Sequence, residues 1–364
     1  MRIVFCIKNL AGVSGGAEWV LASVANGLSC RGYDVYVLSF DAKGQQPFYE
    51  FSSLVYLVNL GEQNVGFLSN LTQFLHMKRE VIRIKPDVVF GFLPSTFVAL
   101  SVLFWFCNIK FVACEHINRD WYNGRLAKYF FVSLAGNLSS HISFLSEEIA
   151  KSYKLIPLKK KLTLHNPVRV MPKIAKVMAS TKPNFTILNV GRLVEFKDHK
   201  TLIDAFYKIH AEFPEWRLRI IGQGELKLSL LSQIERLAIG NIVEILDRSG
   251  DIEREYAEAD LFVVASSFEG FGLVTAEASS AGLPCIGFSD CEGTNKIIKH
   301  GFNGVLVASN GDRVGSLAAS LRALLRDKKE LRRLGRNGLS RPASYEIDNV
   351  LDHWEDTINF VLNA

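Results

Sequence analysis

Two glutamates eight residues apart, Glu269 and Glu277, flank a glycine turn and constrain this chain more than any other feature. Residues 259–265, just before them, form a short apolar run rich in β-branched and aromatic side chains, which predicts a buried strand. The residues after Gly272 favour a helix that continues through Ala281 and places Glu277 about two turns inside it. The segment is therefore predicted to be a strand, a glycine turn and a helix.

This predicted turn has the properties of a ligand site. In open α/β sheets, ligands bind at the carboxyl ends of the strands, and the N–H groups at the start of a helix favour an anion. A turn that offers N–H groups beside a carboxylate suits a ligand with phosphate at one end and hydroxyls at the other. A sugar nucleotide is such a ligand.

Strands and helices alternate in two separate parts of the chain, and 364 residues suffice for two domains. A polar segment containing lysine and proline interrupts the alternation, which predicts an α/β fold with two Rossmann-like domains and a linker. The predicted boundaries are 1–166 for the first domain, 167–183 for the linker, 184–340 for the second domain and 341–364 for an amphipathic C-terminal helix.

The composition is that of a globular protein, with 48% hydrophobic and 22% charged residues. The longest apolar run, near residues 97–109, falls short of the ~20 residues that span a bilayer, so we predict a buried helix there. Neither half begins with a GxGxxG motif, which argues against a dinucleotide oxidoreductase. We expect a cytoplasmic protein, because the six cysteines lack metal-ligand spacing and suit a reducing compartment.

Positive charge is concentrated in the first half. Residues 1–166 contain 17 Lys and Arg against 11 Asp and Glu, whereas the remaining residues contain 25 against 26. Two interpretations stay open: ordinary solvated faces, or attraction to an anionic lipid surface or a phosphorylated acceptor. Nucleic-acid binding is not expected, since no aromatic residues are interleaved with the basic ones.

Two cations, Arg192 and Lys197, follow the strand predicted at residues 185–191. A leaving diphosphate gains negative charge that either a metal ion or fixed cations must stabilise. The sequence contains no Asp-x-Asp pair, which commonly holds a metal beside a diphosphate. We therefore expect neither a metal nor a cofactor, with the two cations acting on the diphosphate instead.

Two further candidates lie in the first half. Gly15 and Gly16 follow the first predicted strand, where glycine lets the backbone approach a ligand closely, although such glycines are often only structural. His116 follows the strand predicted at residues 110–114. A lone histidine is more often a packed or surface residue than a catalyst, and its position alone leaves both interpretations open.

Together these motifs resemble glycosyltransferase family 4, the retaining sugar-nucleotide transferases of the GT-B fold. The resemblance extends over nearly the whole chain and implies two Rossmann-like domains facing across a cleft, with the C-terminal helix crossing back to the first. Its main elements, in order, are GGAE at 15–18, NPV at 166–168, GRLxxxK at 191–197 and E-x7-E at 269–277.

The resemblance also implies roles for individual residues. The implied catalytic group is His116 beside the reacting sugar, Arg192 and Lys197 on the donor diphosphate, and Glu269 on the sugar hydroxyls. The implied donor-binding residues are Gly15, Gly16, Gly222, Arg248, Phe271, Gly272, Leu273, Val274 and Glu277. One residue departs from the family pattern: Lys296 stands where many members have a glutamate.

The implied activity is retaining, metal-independent transfer of a hexose or N-acetylhexosamine from a nucleotide-diphosphate sugar, UDP rather than GDP. The expected acceptor is a lipid-linked glycan in bacterial O-antigen, capsule or exopolysaccharide synthesis, with the protein peripheral on the cytoplasmic face of the inner membrane. A sugar-nucleotide epimerase and a transferase to a soluble small molecule remain alternatives. A non-catalytic assembly partner is disfavoured, since Arg192, Lys197 and Glu269 are all present.

Overall fold

The structure, a computed structural model, describes residues 1–12, 15–61, 67–179, 183–247, 249–340 and 343–364. The chain divides into two compact units. The first comprises Met1–Pro167 together with Ala343–Ala364, and the second comprises Val168–Pro342. Each unit contains its own parallel sheet.

The elements are numbered in chain order. The strands are β1 Arg2–Cys6, β2 Asp34–Ser39, β3 Val55–Asn59, β4 Val88–Phe92, β5 Lys110–Cys114, β6 His141–Phe144, β7 Lys161–Thr163, β8 Phe185–Val190, β9 Trp216–Ile221, β10 Val243–Leu246, β11 Leu261–Val264, β12 Cys285–Phe288 and β13 Gly304–Val307. The helices are α1 Gly16–Cys30, α2 Phe67–Ile84, α3 Pro94–Phe104, α4 Leu126–Leu138, α5 Glu147–Ser152, α6 His199–Tyr207, α7 Lys227–Arg236, α8 Ile252–Glu258, α9 Leu273–Ser280, α10 Thr294–Ile297, α11 Arg313–Leu325, α12 Lys328–Gly338 and α13 Ile347–Asn363.

The sheet of the first unit has the order β3-β2-β1-β4-β5-β6-β7, with every neighbouring pair parallel. The central strands are buried on both faces, as their apolar sequences require. Strand order reverses between β1 and β4. The segments following these two strands therefore diverge at the carboxyl edge of the sheet, which is where ligands bind in such folds.

Helix α13 packs against the first unit although it follows the second in sequence. Trp354 contacts the rings of Phe5 and Phe90, with centroid distances of 5.9 and 5.0 Å. Gly27 of α1 leaves room for Leu351, because a Cβ at residue 27 would overlap the leucine side chain. The last residues of the chain therefore complete the core of the first unit.

The sheet of the second unit has the order β10-β9-β8-β11-β12-β13 and is also entirely parallel. Its order reverses between β8 and β11, the two central strands. The segments after β8 and β11 carry the predicted cations and the first predicted carboxylate. The topology therefore places these groups at the switch point of the sheet.

Two doubly wound parallel sheets confirm the predicted α/β architecture, but three local features differ. The sequence patterns did not indicate β3 and β7. Helix α9 begins at Leu273, so Glu277 lies little more than one turn inside it rather than two. The apolar run near residues 97–109 is not one buried helix, because α3 ends at Phe104 and the next two residues, Trp105 and Phe106, are 49% and 93% exposed.

The contact boundaries of the units fall after Pro167 and after Pro342. Among the residues that the structure describes, no helix combines the length and apolar character needed to cross a bilayer.

Candidate active site

The centre of the candidate site is an ion pair between Lys197 and Glu269 at the switch point of the second sheet. The Lys197 Nζ lies 2.6 Å from the Glu269 Oε1, and both side chains are largely buried, with 13% and 9% of their surface exposed. The Ser266 hydroxyl donates to the same carboxylate oxygen at 2.7 Å. Hydrogen bonds to a charged group are shorter and stronger than neutral ones. The pair thus holds a cation and an anion side by side at the carboxyl ends of β8 and β11.

Arg192 lies on the same loop as Lys197 but is exposed. Its guanidinium carbon lies 5.9 Å from the ring centroid of Phe196, and the Lys197 Nζ lies 6.0 Å from the same centroid. The Phe196 ring also makes an edge contact with Phe268, from the segment that leads to Glu269. Both predicted cations therefore lie within reach of one aromatic ring.

Two glycine turns pack against each other beside the ion pair. Gly272, at the start of α9, and Gly293, before α10, both adopt a left-handed backbone, with φ of 88° and 82°. A Cβ at Gly293 would lie 2.9 Å from the Glu269 carbonyl oxygen and 3.1 Å from the Phe271 carbonyl carbon. Only glycine satisfies both the dihedral and the close approach. Helix α9 therefore begins with its first N–H groups, at Leu273 and Val274, in the turn after Glu269.

Glu277 lies inside α9 and is 9% exposed. The Tyr256 hydroxyl donates to its Oε2 at 3.0 Å. Burial raises the pKa of the Glu277 carboxyl, while the charge of Arg169 and the Tyr256 hydrogen bond oppose the rise. A buried carboxylate with hydroxyl and cationic neighbours is suited to accept hydrogen bonds from the hydroxyls of a ligand.

The structure describes only one of two further implied donor-binding residues, Gly222 and Arg248. A Cβ at Gly222 would overlap the Gly191 carbonyl oxygen, so Gly222 permits the segments after β8 and β9 to pack closely. Arg248 lies outside the described residues. Lys296, the departure from the family pattern, is exposed on α10.

Arg313 is a residue that the sequence interpretation missed. It is the first residue of α11, yet its side chain reaches the ion-pair region. It donates to the carbonyl oxygens of Ala265 and Ser266 at 2.9 and 3.3 Å. It also pairs with Asp198 and Asp290, at 3.3 Å each. No motif marked it, because the residues that it joins are distant in sequence.

In the first unit, Gly15 precedes α1 and Gly16 begins it. A Cβ at Gly15 would overlap the Glu18 carboxylate, so the side chain of this glutamate lies over the start of its own helix. Acidic groups are stabilised at a helix start. The glycine loop thus brings a largely buried carboxylate to the carboxyl end of β1.

His116 follows β5 and stacks on Phe92 with a centroid distance of 4.9 Å. Its Nδ1 is buried and has no hydrogen-bond partner among the described residues. Burial lowers the pKa of the imidazole to about 4, so the ring is neutral near pH 7. A neutral ring at this strand end can exchange hydrogen bonds with a ligand without adding positive charge.

Glu115, the residue before it, is 1% exposed. Its carboxyl oxygens accept hydrogen bonds from the Ile117 N–H and the Tyr122 hydroxyl, both at 2.9 Å. Burial raises the pKa of this carboxyl to about 8 against the effect of those hydrogen bonds. Glu115 therefore holds the loop around His116 in place, a role that strand spacing alone did not indicate.

Within the described part of the chain, no three His, Cys, Asp or Glu side chains are grouped so as to hold a metal ion.

Comparison with known proteins decides the family. The model described as Glycosyltransferase Family 4 matches residues 14–170, and the model described as Glycosyl transferases group 1 matches residues 170–341. The two matches together extend over residues 14–341, which is nearly all of the second unit and most of the first. The chain belongs to glycosyltransferase family 4. It is therefore a hexosyltransferase.

Full-length relatives agree with this family assignment. An uncharacterized glycosyltransferase of Haemophilus influenzae is 25% identical over 97% of this chain and 99% of its own. The amylovoran biosynthesis glycosyltransferase AmsD of Erwinia amylovora is 25% identical, covering 95% of this chain and 96% of its own.

Solved structures agree with the fold. Anabaena HepE in complex with UDP and glucose superposes with a TM-score of 0.81 at 19% identity, covering 99% of this chain and 100% of that one. The pneumococcal O-GlcNAc transferase GtfA in complex with UDP and GlcNAc has a TM-score of 0.79 at 12% identity, covering 100% and 99%. The predicted GT-B fold is thus confirmed for this family 4 glycosyltransferase.

Proposed function

We propose that this glycosyltransferase moves a hexose or N-acetylhexosamine from a UDP-sugar to a glycan acceptor, with retention of configuration and without a metal ion. The observation that carries the proposal is the Lys197–Glu269 pair at the switch point of the second sheet. It supplies a fixed cation for phosphate and a carboxylate for sugar hydroxyls in adjacent positions. HepE and GtfA, which share the fold, are both known in complex with UDP.

The second unit offers groups for each part of such a donor. Lys197 and Arg192 bind the diphosphate, and the N–H groups at the start of α9 add partial positive charge. Glu269 accepts hydrogen bonds from the transferred sugar, and Glu277 accepts them from the ribose. The cations act where negative charge grows as the bond to the diphosphate breaks, which is where fixed charge lowers the barrier most.

Retention follows from attack on the leaving-group side. The acceptor hydroxyl approaches the anomeric carbon from the face that the diphosphate leaves, as an oxocarbenium-like centre forms. A diphosphate oxygen takes the hydroxyl proton, so no second carboxylate is required as a nucleophile. The two glutamates thus serve as binding groups, unlike the carboxylate pair of retaining glycosidases. The role proposed for His116 is that of a neutral hydrogen-bonding group for the transferred sugar.

The acceptor is a lipid-linked glycan, bound at an anionic membrane on its cytoplasmic face. Support comes from a surface on the first unit that we name the α4 surface. It combines apolar side chains that are at least 38% exposed with neighbouring basic ones. Its apolar members are Leu126, Phe130, Phe131, Leu134, Leu155 and Leu158, and its basic members are Arg125, Lys128, Lys154 and Lys159.

Hydrogen bonds join the two parts of the α4 surface, helix α4 and the loop after α5. The Asn137 side chain donates to the Leu155 carbonyl oxygen at 3.0 Å, which holds the loop after α5 against the end of α4. The Lys160 Nζ donates to the Ser139 carbonyl oxygen at 2.8 Å in the same region. Exposed aromatic side chains beside lysines are typical of surfaces that contact anionic lipid.

A nucleotide panel tests the donor. A ligand that binds only the folded state stabilises it by RT ln(1 + [L]/Kd), so about 100 Kd of ligand adds about 2.7 kcal/mol. We expect UDP and one UDP-sugar to raise Tm by several degrees without added metal, whereas GDP raises it less. A larger shift with GDP than with UDP would contradict the donor assignment. Incubation with the UDP-sugar alone should yield free sugar and UDP; an epimerised UDP-sugar would support the alternative activity.

A further inference from the structure

We propose that Arg313 is a positioning residue that holds the Lys197–Glu269 pair in its working geometry. This inference rests on the proposed function for its catalytic consequence, but the contacts that carry it stand by themselves. Arg313 touches neither member of the pair in the contacts described above. It acts on the segments from which they project.

The guanidinium joins three segments at the carboxyl edge of the second sheet. Its Nε lies 3.3 Å from Asp198, the residue directly after Lys197. One terminal nitrogen lies 3.3 Å from Asp290, on the segment after β12. The other donates at 2.9 Å to the carbonyl oxygen of Ala265, directly after β11. One side chain thus connects the segments that follow β8, β11 and β12.

Each connection leads to the ion pair within a few residues. Asp198 adopts a left-handed backbone with φ of 50° and caps the start of α6. This cap fixes the end of the loop that carries Lys197. Arg313 also donates to the Ser266 carbonyl oxygen at 3.3 Å, and the Ser266 hydroxyl donates to the Glu269 carboxylate. Asp290 lies in the turn, residues 289–293, that places Gly293 against the Glu269 backbone.

The chemistry of the site requires an arginine. The guanidinium carbon lies 3.6 Å from the ring centroid of Phe288, so the planar group is stacked on an aromatic face at the end of β12. Its side chain is 23% exposed. A planar fork with five donors can reach two carboxylates and two carbonyl oxygens at once, whereas the single ammonium of lysine cannot. The contact set therefore depends on shape as well as charge.

The first test measures the accessibility of Lys197 without any assay of activity. Competitive acetylation with acetic anhydride, followed by peptide mass spectrometry, gives the rate at each lysine. In Arg313→Ala, Lys197 should react about fivefold faster than in wild type, because its ion pair is no longer held. Lys227, paired with Asp247 at 2.6 Å in the same unit, reports general loosening and should stay within about twofold.

The second test separates kcat from KM with the UDP-sugar that stabilises the wild-type protein. Arg313→Ala should lower kcat about 10- to 100-fold, as small displacements of catalytic groups do, with KM for the donor within about threefold. Arg322→Ala is the matched control, since Arg322 lies on the same helix and pairs with Glu212 at 2.8 Å, away from the site. It should leave both constants unchanged.

The outcomes distinguish this inference from the proposed function. Equal Lys197 acetylation in Arg313→Ala and Arg322→Ala would overturn the positioning role. If the wild-type protein neither binds UDP nor consumes a UDP-sugar, the donor assignment fails, while acetylation still decides the role of Arg313. Should Arg313→Ala not fold, Arg313→Lys replaces it: full protection of Lys197 and full kcat in that variant would show that the fork is not needed.

Discussion

At the scale of single residues, Glu269 and Glu277 lie in one turn–helix segment but have different partners and different proposed roles. Glu269 shares its oxygen between Lys197 and Ser266, whereas Glu277 is paired with a tyrosine hydroxyl. Glu269 is therefore one member of an ion pair, whereas Glu277 is a buried hydrogen-bond acceptor. Substitutions at these positions should therefore affect different kinetic constants.

We expect Lys197→Ala to lower kcat about 10²- to 10³-fold, since it removes a fixed cation from the leaving diphosphate. Glu277→Gln should chiefly raise the donor KM, because it weakens binding that the ground state and transition state share. Steady-state kinetics with a UDP-sugar measure both. Lys200→Ala, an exposed lysine three residues away, is the control. An unchanged kcat for Lys197→Ala would contradict the proposal that Lys197 binds the leaving diphosphate.

Glu115 gives a stability prediction with a defined sign. Its pKa is raised to about 8 in the folded protein, so this carboxyl binds a proton there that an unfolded chain has released. The stabilisation is complete below the unfolded pKa and is lost as pH rises through the folded one. Between those values the loss is roughly 1.4 kcal/mol per pH unit.

Urea unfolding of wild type and Glu115→Gln at several pH values measures this effect. Buried histidines with a lowered pKa, His116 and His199 at about 4, give the opposite slope below pH 6.5. The test therefore uses pH 6.5 to 8. Wild type should lose stability relative to Glu115→Gln over that interval, and parallel curves would contradict the raised pKa.

At the scale of elements, the two glycine turns after β11 and β12 depend on each other, because their backbones are in contact. Gly293→Ala adds both a strained dihedral and an overlap with the Glu269 backbone. We expect it to abolish most of the Tm rise produced by UDP and to cost about 1–3 kcal/mol of stability.

Gly301→Ala is the control for dihedral strain. Gly301 also has a positive φ, 73°, but a Cβ there would meet no atom within 4 Å. It should lose some stability and keep the full response to UDP. If UDP raises the Tm of both variants equally, the contact between the two turns is not needed for UDP binding.

Elements that carry a local signal were predictable, and elements that depend on distant partners were not. The apolar strand ending at Val264 and the glycine turn after it were evident, because burial and backbone geometry restrict the residue types. Strand β7 was not, since Lys161–Thr163 is short and only half-buried at a sheet edge. Arg313 was missed for a related reason, since the fold alone brings it to Asp198, Ala265 and Asp290. Glu115 was missed although its partners Ile117 and Tyr122 are near in sequence, because no motif marks a buried carboxyl.

At the scale of the whole molecule, the α4 surface of the first unit combines exposed apolar side chains with positive charge. We expect the protein to sediment with vesicles of phosphatidylglycerol and not with vesicles of phosphatidylcholine, and less so in high salt. Phe130→Ser combined with Phe131→Ser should weaken sedimentation at least about tenfold, since each phenylalanine contributes roughly 1.5–3 kcal/mol on burial.

Leu228→Ser serves as the control for the vesicle experiment. This leucine is 78% exposed on α7 of the second unit, so it matches the exposed character of the α4 surface without belonging to it. Equal binding by the double variant and this control would exclude the α4 surface as the membrane contact. UDP-dependent stabilisation of each variant verifies that it is folded.

The position of α13 has a consequence for how the chain is made. A ribosome produces residues 1–167 before the helix that covers Phe5 and Phe90 exists, and the whole second unit is synthesised in between. The second unit is continuous in sequence and can close as soon as it emerges. Until α13 is made, the rings of Phe5 and Phe90 lack the cover that Trp354 gives them. We therefore expect the second unit to finish folding before the first, the reverse of the usual order during translation.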